Sequence, residues 1–209
     1  MSKIFNILRV WLIQSIASFV NFREFIKLRL IIYSQNGYLG RGIISHGEYI
    51  NILGKVYIKK GVRIECYPKF YGNSYEPELQ IGDGVYIGYN VTVLVADKLV
   101  IKKDTILASN VTITTENHGM NPNSDTPYHA QKLIIGSVVI GRGCWIGQNA
   151  IILPNVHIGD KVIIGANAVV SRNVPDYCIA AGNPAKIIKR FDFDHNEWRK
   201  TDKEGAFID

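Results

Sequence analysis

The sequence predicts an all-β core wound as a parallel β-helix of hexapeptide repeats, with a helical segment before it and a short tail after it. Three observations carry this. First, an aliphatic residue recurs every six positions without a slip: Ile140, Ile146, Ile152, Ile158, Ile164 and Val170. Second, two other positions of the hexad are constrained with it. The next residue is Gly141, Gly147, Leu153, Gly159, Gly165 and Ser171, and the fifth is Cys144, Ala150, Val156, Val162, Ala168 and Val174. Third, Ile is the commonest residue, Gly numbers 19 and Met only 2, a composition of short strands and tight turns. A period of six is neither the helical 3.6 nor a simple strand alternation. It fits a coil with flat sides, each side one short strand and a turn, with one large aliphatic per hexad pointing inward. Small residues at the fifth position leave room beside it, and Gly is expected to relieve the corner. The spacing leaves the hand of the coil open.

The elements follow in chain order. Residues 1–40 form an N-terminal helical segment. Residues 2–33 hold no Pro or Gly, and Ile4, Leu8, Trp11, Leu12, Ile16 and Phe19 recur at helical spacing. The opposite side is apolar too, which asks for burial or a membrane surface. A second helix is expected over 22–33. Lys3, Arg9, Arg23, Lys27 and Arg29 outweigh Glu24 here. Two readings stay open: a helical hairpin packed on the domain or a neighbouring subunit, and peripheral membrane contact through residues 1–33. The longest uncharged stretch, 10–22, is too short to span a bilayer, and no small-x-small cleavage site follows it.

Residues 41–190 form the β-helix domain. Earlier runs share the period: Ile52, Ile58, Ile64; then Ile81, Ile87, Val93; then Ile101, Leu107, Ile113. The register shifts between runs, so interruptions are expected near 66–79 and 95–100, with an inserted loop over 114–133. Residues 191–209 read as a tail. Apolar residues at 47% and charged residues at 20% exclude a disordered chain. The net charge of +6 suits a polyanionic partner, a membrane surface or a phosphorylated cofactor. Three scattered cysteines, Cys66, Cys144 and Cys178, read as reduced thiols of a cytoplasmic protein.

The stretches Gly143-Cys-Trp-Ile-Gly-Gln-Asn-Ala, Ile164-Gly-Ala-Asn-Ala-Val-Val-Ser and Ala181-Gly-Asn-Pro-Ala-Lys resemble the hexapeptide-repeat acyltransferases. More narrowly, they look like the maltose/galactoside O-acetyltransferase branch and the related acetyltransferases of surface-polysaccharide assembly. The resemblance covers about residues 50–190. It implies a left-handed β-helix, a homotrimer with active sites between neighbouring coils, and acetyl-CoA as acyl donor.

Acetyl transfer to a hydroxyl needs a general base, a donor to the developing oxyanion, a slot for the pantetheine arm and cations for the phosphates. His118, in Thr114-Thr-Glu-Asn-His-Gly, opens the inserted loop, and its Asn-His-Gly step matches the family's catalytic loop, whose His is the general base. His129 in the same loop is a candidate substrate contact. Glu116 shares a face with His118 in an extended segment and is a candidate to orient the imidazole or meet substrate. Asn90 and Asn110 occupy fourth positions, as turn formers or as substrate hydrogen-bonders. The sugar-binding Asn of the galactoside branch aligns on neither; Gly88 falls near its place. On the donor side, Trp145 stands at an outward position before Ile146 and Gly147, and its counterpart in the family lies at the cofactor cleft. Ala166 matches the position that meets the pantetheine arm, and Ser171 and Arg172 match a Thr-Lys pair beside the adenine and ribose phosphate. Lys186 and Lys189, with Arg190, offer cations to the phosphates, which makes nucleic acid an unnecessary partner. His118, His129 and His157 provide no evident zinc set. Cys144 sits where Ala and Val stand elsewhere, a packed thiol, so direct attack by the acceptor is expected.

The leading expectation is therefore an acetyl-CoA-dependent O-acetyltransferase acting on a sugar hydroxyl of a saccharide or glycolipid, in O-antigen, capsule or exopolysaccharide synthesis. Two alternatives use the same fold: N-acetylation of an amino sugar or nucleotide-sugar, and a non-catalytic scaffold.

Overall fold

A computed structural model describes residues 22–202 and 206–208. The coil is a three-sided prism, and its sides are three parallel sheets of stacked short strands. Face A holds Tyr38–Leu39, Tyr57–Ile58, Tyr86–Ile87, Ile106–Leu107, Trp145–Ile146, Ile163–Ile164 and Cys178–Ala181. Face B holds Ile43–Ser45, Arg63–Cys66, Thr92–Val95, Thr112–Thr114, Ile151–Ile152 and Val169–Val170. Face C holds Ile50–Leu53, Glu78–Gly82, Lys98–Ile101, Val138–Ile140 and His157–Ile158. The architecture is the left-handed parallel β-helix.

The six-residue period explains the register. On face A, Ile58 pairs with Ile87, Ile87 with Leu107, Leu107 with Ile146 and Ile146 with Ile164. All five side chains are buried. Each contributes about 1.5–3 kcal/mol by leaving water, so the inward column is the main stabilising feature of the face. The fifth-position residues are buried as well, Val56, Val85, Val111, Ala150 and Val162 among them. They fill the corners of the prism rather than leaving space there. Thr105 takes that place in one coil, and its buried hydroxyl donates to the Gly141 carbonyl (2.7 Å) and accepts from the Cys144 N–H (3.2 Å).

The corner itself is made at the fourth position, which corrects the role expected of Gly at the second. Asn90, Asn110, Asn149 and Asn167 have φ of 55°, 61°, 59° and 58°. Asn tolerates this left-handed conformation better than most residues. The second-position Gly is required by close approach instead. A Cβ on Gly141 would lie 2.2 Å from the Gly159 carbonyl oxygen, and one on Gly147 would lie 2.6 Å from that of Ile164.

The same four asparagines form a ladder down the corner between faces A and B. Asn90 Nδ2 donates to Asn110 Oδ1 (3.3 Å), Asn110 Nδ2 to Asn149 Oδ1 (3.0 Å) and Asn149 Nδ2 to Asn167 Oδ1 (3.0 Å). Asn90 and Asn110 are thus turn formers that stitch coils together. Their side-chain amides bond to one another along the corner.

Two of the three expected interruptions are excursions from the prism. Residues 67–77 leave between faces B and C and form a hairpin of Lys69–Phe70 against Asn73–Ser74. Residues 115–137 leave at the same edge two coils further on. Glu116–Asn117 there pairs antiparallel with Ile134–Ile135, so the excursion ends later than the loop expected over 114–133. Near 95–100 there is no insertion; the chain turns within two residues between Val95 and Lys98.

Both ends of the prism are covered. A helix over residues 22–34 lies across the first coil, with Leu28 and Ile32 buried in the same core as Leu39 and Val56. The expected helix before it lies outside the described residues. Among the described residues no helix is long and apolar enough to cross a membrane. At the other end the chain does not simply trail away. Cys178–Ala181 pairs antiparallel with Lys186–Asp192, which pairs with Glu197–Lys200, so the division drawn at 190/191 falls inside a strand. Asp192 organises the turn between them. Its buried carboxylate accepts from Arg199 Nη1 and His195 Nδ1, both at 2.9 Å, and from the Asp194 N–H at 3.0 Å. These donors, Arg199 first, hold its carboxyl far below the usual carboxylate range.

Candidate active site

The 115–137 excursion is braced at its root and in its interior. Thr115 is fully buried, and its hydroxyl accepts from the Ala96 N–H (2.8 Å) and the Asp97 N–H (3.1 Å). Its carbonyl accepts from the Gly136 N–H at 2.9 Å, which closes the excursion. Inside, the buried Gln131 donates to the carbonyls of Asn121 (3.0 Å) and Thr126 (2.9 Å) and accepts from the Asn121 N–H (3.0 Å). Residues that lack a sheet of their own are thereby held in one arrangement.

His118 stands on this braced loop with its ring exposed. It rests against Phe70 of the earlier hairpin, ring centroids 5.5 Å apart. Tyr71 follows, 4.9 Å from Phe70 and 5.9 Å from His129. Four rings therefore form an arc, His118–Phe70–Tyr71–His129, with the two histidines at its ends. The arc is anchored from below: Phe70 and Tyr67 pack on buried Tyr75, Ala96 and Leu133, and the Tyr75 hydroxyl accepts from the Leu133 N–H at 2.8 Å. A groove of about 600 Å³ lies alongside, lined by Asn73, Gly119, Met120, Gln131, Lys132 and Ile134. Glu116 does not join His118. Its carboxylate approaches the Thr114 hydroxyl at 3.3 Å, and that hydroxyl donates to the Glu116 carbonyl at 2.7 Å. The order of residues in the excursion, not proximity to the imidazole, links Glu116 to the site.

The donor candidates lie elsewhere on the prism. Trp145 is 54% exposed and points out from face A. Its outward column continues through Ile163 and Ile179 to Lys189, three strand steps or roughly 14 Å away. Lys186 stands opposite Ala181 on the same face. Ala166 is exposed at the corner between faces A and B, and Ser171 and Arg172 are exposed just beyond face B. The Val169 N–H donates to the Gly182 carbonyl (3.0 Å), and the Ala185 N–H donates to the Val169 carbonyl (2.8 Å). That pair ties the start of the basic strand to the strand leading into Ser171 and Arg172. Gly147 is buried, and its N–H donates to the Ile164 carbonyl at 2.8 Å, so it spaces two coils. His118 and Trp145 stand on different sides of the prism.

A profile described as bacterial transferase hexapeptide (six repeats) matches residues 137–172. A protein of Escherichia coli (strain K12) named as a lipopolysaccharide biosynthesis O-acetyl transferase, WbbJ, is 37% identical over 124 residues, which are 56% of this chain and 63% of that protein. A Lysinibacillus sphaericus protein named as a macrolide acetyltransferase is 37% identical over 123 residues, 58% of this chain and 68% of its own length. The chain belongs to the hexapeptide-repeat acetyltransferases. The match spans under two thirds of WbbJ. Among solved structures, AntD, an N-acyltransferase from Bacillus cereus in complex with dTDP and 3-hydroxybutyryl-CoA, aligns with a TM-score of 0.60 over 78% of this chain and 88% of that one. At 20% identity this likeness concerns the fold alone.

Three cysteines bear on the chemistry open to this chain. All are free and buried. Cys144 donates to the Gly159 carbonyl at 3.0 Å, and burial pushes its thiol above the ordinary value; burial takes Cys66 up to about 12. Neither is poised as a thiolate nucleophile. No group of three or more His, Cys, Asp or Glu side chains that could hold a metal ion occurs among the described residues. Reading the sequence missed Phe70, Tyr71, Tyr75 and Gln131. The only trace of the hairpin was the aromatic run Tyr67-Pro-Lys-Phe-Tyr-Gly, which has no repeat to mark it.

Proposed function

We propose that the chain is an acetyl-CoA-dependent O-acetyltransferase that acetylates a saccharide hydroxyl, with His118 as general base. One observation carries the reading: an exposed imidazole on a doubly braced loop, at the edge of an aromatic arc and beside a groove. The relative named for lipopolysaccharide biosynthesis supports a polysaccharide intermediate as acceptor.

The donor suits face A. Apolar Trp145, Ile163 and Ile179 lead to Lys189 and Lys186, an order that matches a thioester arm ending in phosphates. Ala166, Ser171 and Arg172 border the same end of the prism. In the reaction, a nitrogen of His118 takes the acceptor hydroxyl proton as the oxygen attacks the acetyl carbonyl. The tetrahedral intermediate collapses with loss of the CoA thiolate, and the imidazolium returns the proton to that sulfur. No protein nucleophile is needed, in keeping with the packed thiols.

Because His118 and Trp145 occupy different sides of one prism, the reading includes a homotrimer in which one copy supplies the His118 loop and its neighbour the donor face. The test is release of CoA thiol from acetyl-CoA with sugar acceptors. Wild type is active and His118→Ala loses activity; retention of most activity by the variant removes His118 from the mechanism. Hydroxylamine lability of the product identifies an ester and separates O- from N-acetylation.

A further inference from the structure

Tyr71 and Gly72 are the two central residues of the 67–77 hairpin, with φ of 42° and 81°. A two-residue loop with both φ values positive favours Asn, Asp or Gly at each position. Elsewhere the chain mostly follows that preference, placing Asn at 90, 110, 149, 155 and 167, with His46, Lys161 and Tyr177 as departures. A bulky aromatic in this conformation is strained, and such strain tends to mark functional sites. Tyr177 is the other tyrosine with positive φ among the described residues, and its ring packs at 4.9 Å on Phe193. Tyr71 is different. It is 61% exposed at the tip of its hairpin, between Phe70 and His129, and it contributes nothing to the buried core.

We propose that Tyr71 is the platform on which the acceptor's sugar ring rests, and so a determinant of acceptor specificity. This rests on the acetyl-transfer reading above. The ligand class is a hexopyranoside that presents a contiguous C–H face to the aromatic arc and a hydroxyl towards His118. Aromatic walls with a few directed polar groups are the usual lining of small-molecule sites. The arc supplies the wall, and the His118 ring on Phe70 supplies a polar group at its end. The hairpin is held to the catalytic loop through Tyr75 and Leu133, so platform and base move as one body.

The experiment compares wild type, Tyr71→Asn and Tyr71→Phe. Asn removes the ring while suiting the turn, so the variant keeps or raises its melting temperature. Acceptors are the methyl pyranosides of glucose, galactose, mannose and N-acetylglucosamine, with CoA release as readout. The Asn variant raises the acceptor KM about tenfold, with kcat and the KM for acetyl-CoA little changed. The Phe variant restores the acceptor KM to within about threefold of wild type. An unchanged acceptor KM in the Asn variant overturns the proposal. So does a fall in kcat at constant KM, which would make Tyr71 a prop for the loop. If wild type itself releases no CoA with any of the four sugars, the acetyl-transfer reading falls and this one with it; if wild type is active and the Asn variant matches it, this one falls alone.

Discussion

The unbroken coils over 138–182 and the excursions at 67–77 and 115–137 solve different problems with the same chain. In the coils each residue has a place fixed by its number in the hexad: inward, corner, close approach or outward. Removing one element there damages its neighbours above and below, because the register runs through every layer. The excursions have no such lattice. Each is held by one short antiparallel pair and by buried braces, Thr115, Gln131 and Tyr75, and carries exposed rings, His118, Tyr71 and His129 among them. On the proposed reading the inward residues of the prism govern stability, its outer face A meets the donor, and the excursions govern the acceptor chemistry. Substitutions of inward prism residues should leave activity almost untouched, and substitutions in the excursions should leave stability almost untouched.

The largest test of that division is His118→Ala. Loss of a general base costs about 10²–10⁴-fold in rate, measured as kcat/KM for CoA release, while the melting temperature stays at the wild-type value. A large fall in melting temperature would erase the distinction. The converse is Ile146→Ala. Deleting a buried aliphatic of this kind costs about 2–5 kcal/mol, read from urea denaturation, and the folded fraction should retain its turnover. Asn149→Ala probes the corner ladder. A left-handed residue without Asn or Gly costs roughly 1–2 kcal/mol, and Asn149→Gly should recover the turn's share but not the amide bonds to Asn110 and Asn167. In the hairpin, Gly72→Ala meets no atom within 4 Å and pays only for its φ of 81°, about 1 kcal/mol. Gly141→Ala meets the Gly159 carbonyl and should cost well beyond that.

The smallest effect concerns acid. The folded Asp192 carboxyl lies below its unfolded value, so its contribution is complete above the unfolded pKa and fades as pH falls towards the folded one. Melting temperature should therefore decline below about pH 4. Asp192→Asn should flatten part of that slope; Glu65, Asp160 and Glu78, also held low by Arg63, Arg142 and Lys98, contribute to the remainder. An identical slope in the variant would show that the terminal turn does not couple to the global transition.

The coil could be read from residue numbers alone because an inward aliphatic must recur wherever a strand repeats. Ile146 and Ile164 are eighteen residues apart in sequence and adjacent in the sheet, and the period says so. The fourth-position asparagines were visible as turn formers, but their mutual bonding was not, since that depends on how corners align between coils. The close approach at Gly147 was hidden for a related reason: it comes from the neighbouring coil, at the Ile164 carbonyl. His118 was singled out by its position after Ile113 and by resemblance, and the structure sets its exposed ring against Phe70. Phe70 and Tyr71 were not, because the contact that matters joins excursions from different coils and neither has a repeat. The turn at Asp192 likewise gathers Arg199 and His195 by local bonding that no periodicity announces.

A stack of coils has two open faces perpendicular to its axis, and in principle another copy could add to either, strand upon strand, without limit. Leu28 and Ile32 close the first face with a helix whose backbone bonds are already internal. At the last, both backbone groups of Val169 are taken by residues 182 and 185. The covers thus act as terminators of growth: they turn a geometry suited to a fibre into a particle of fixed length.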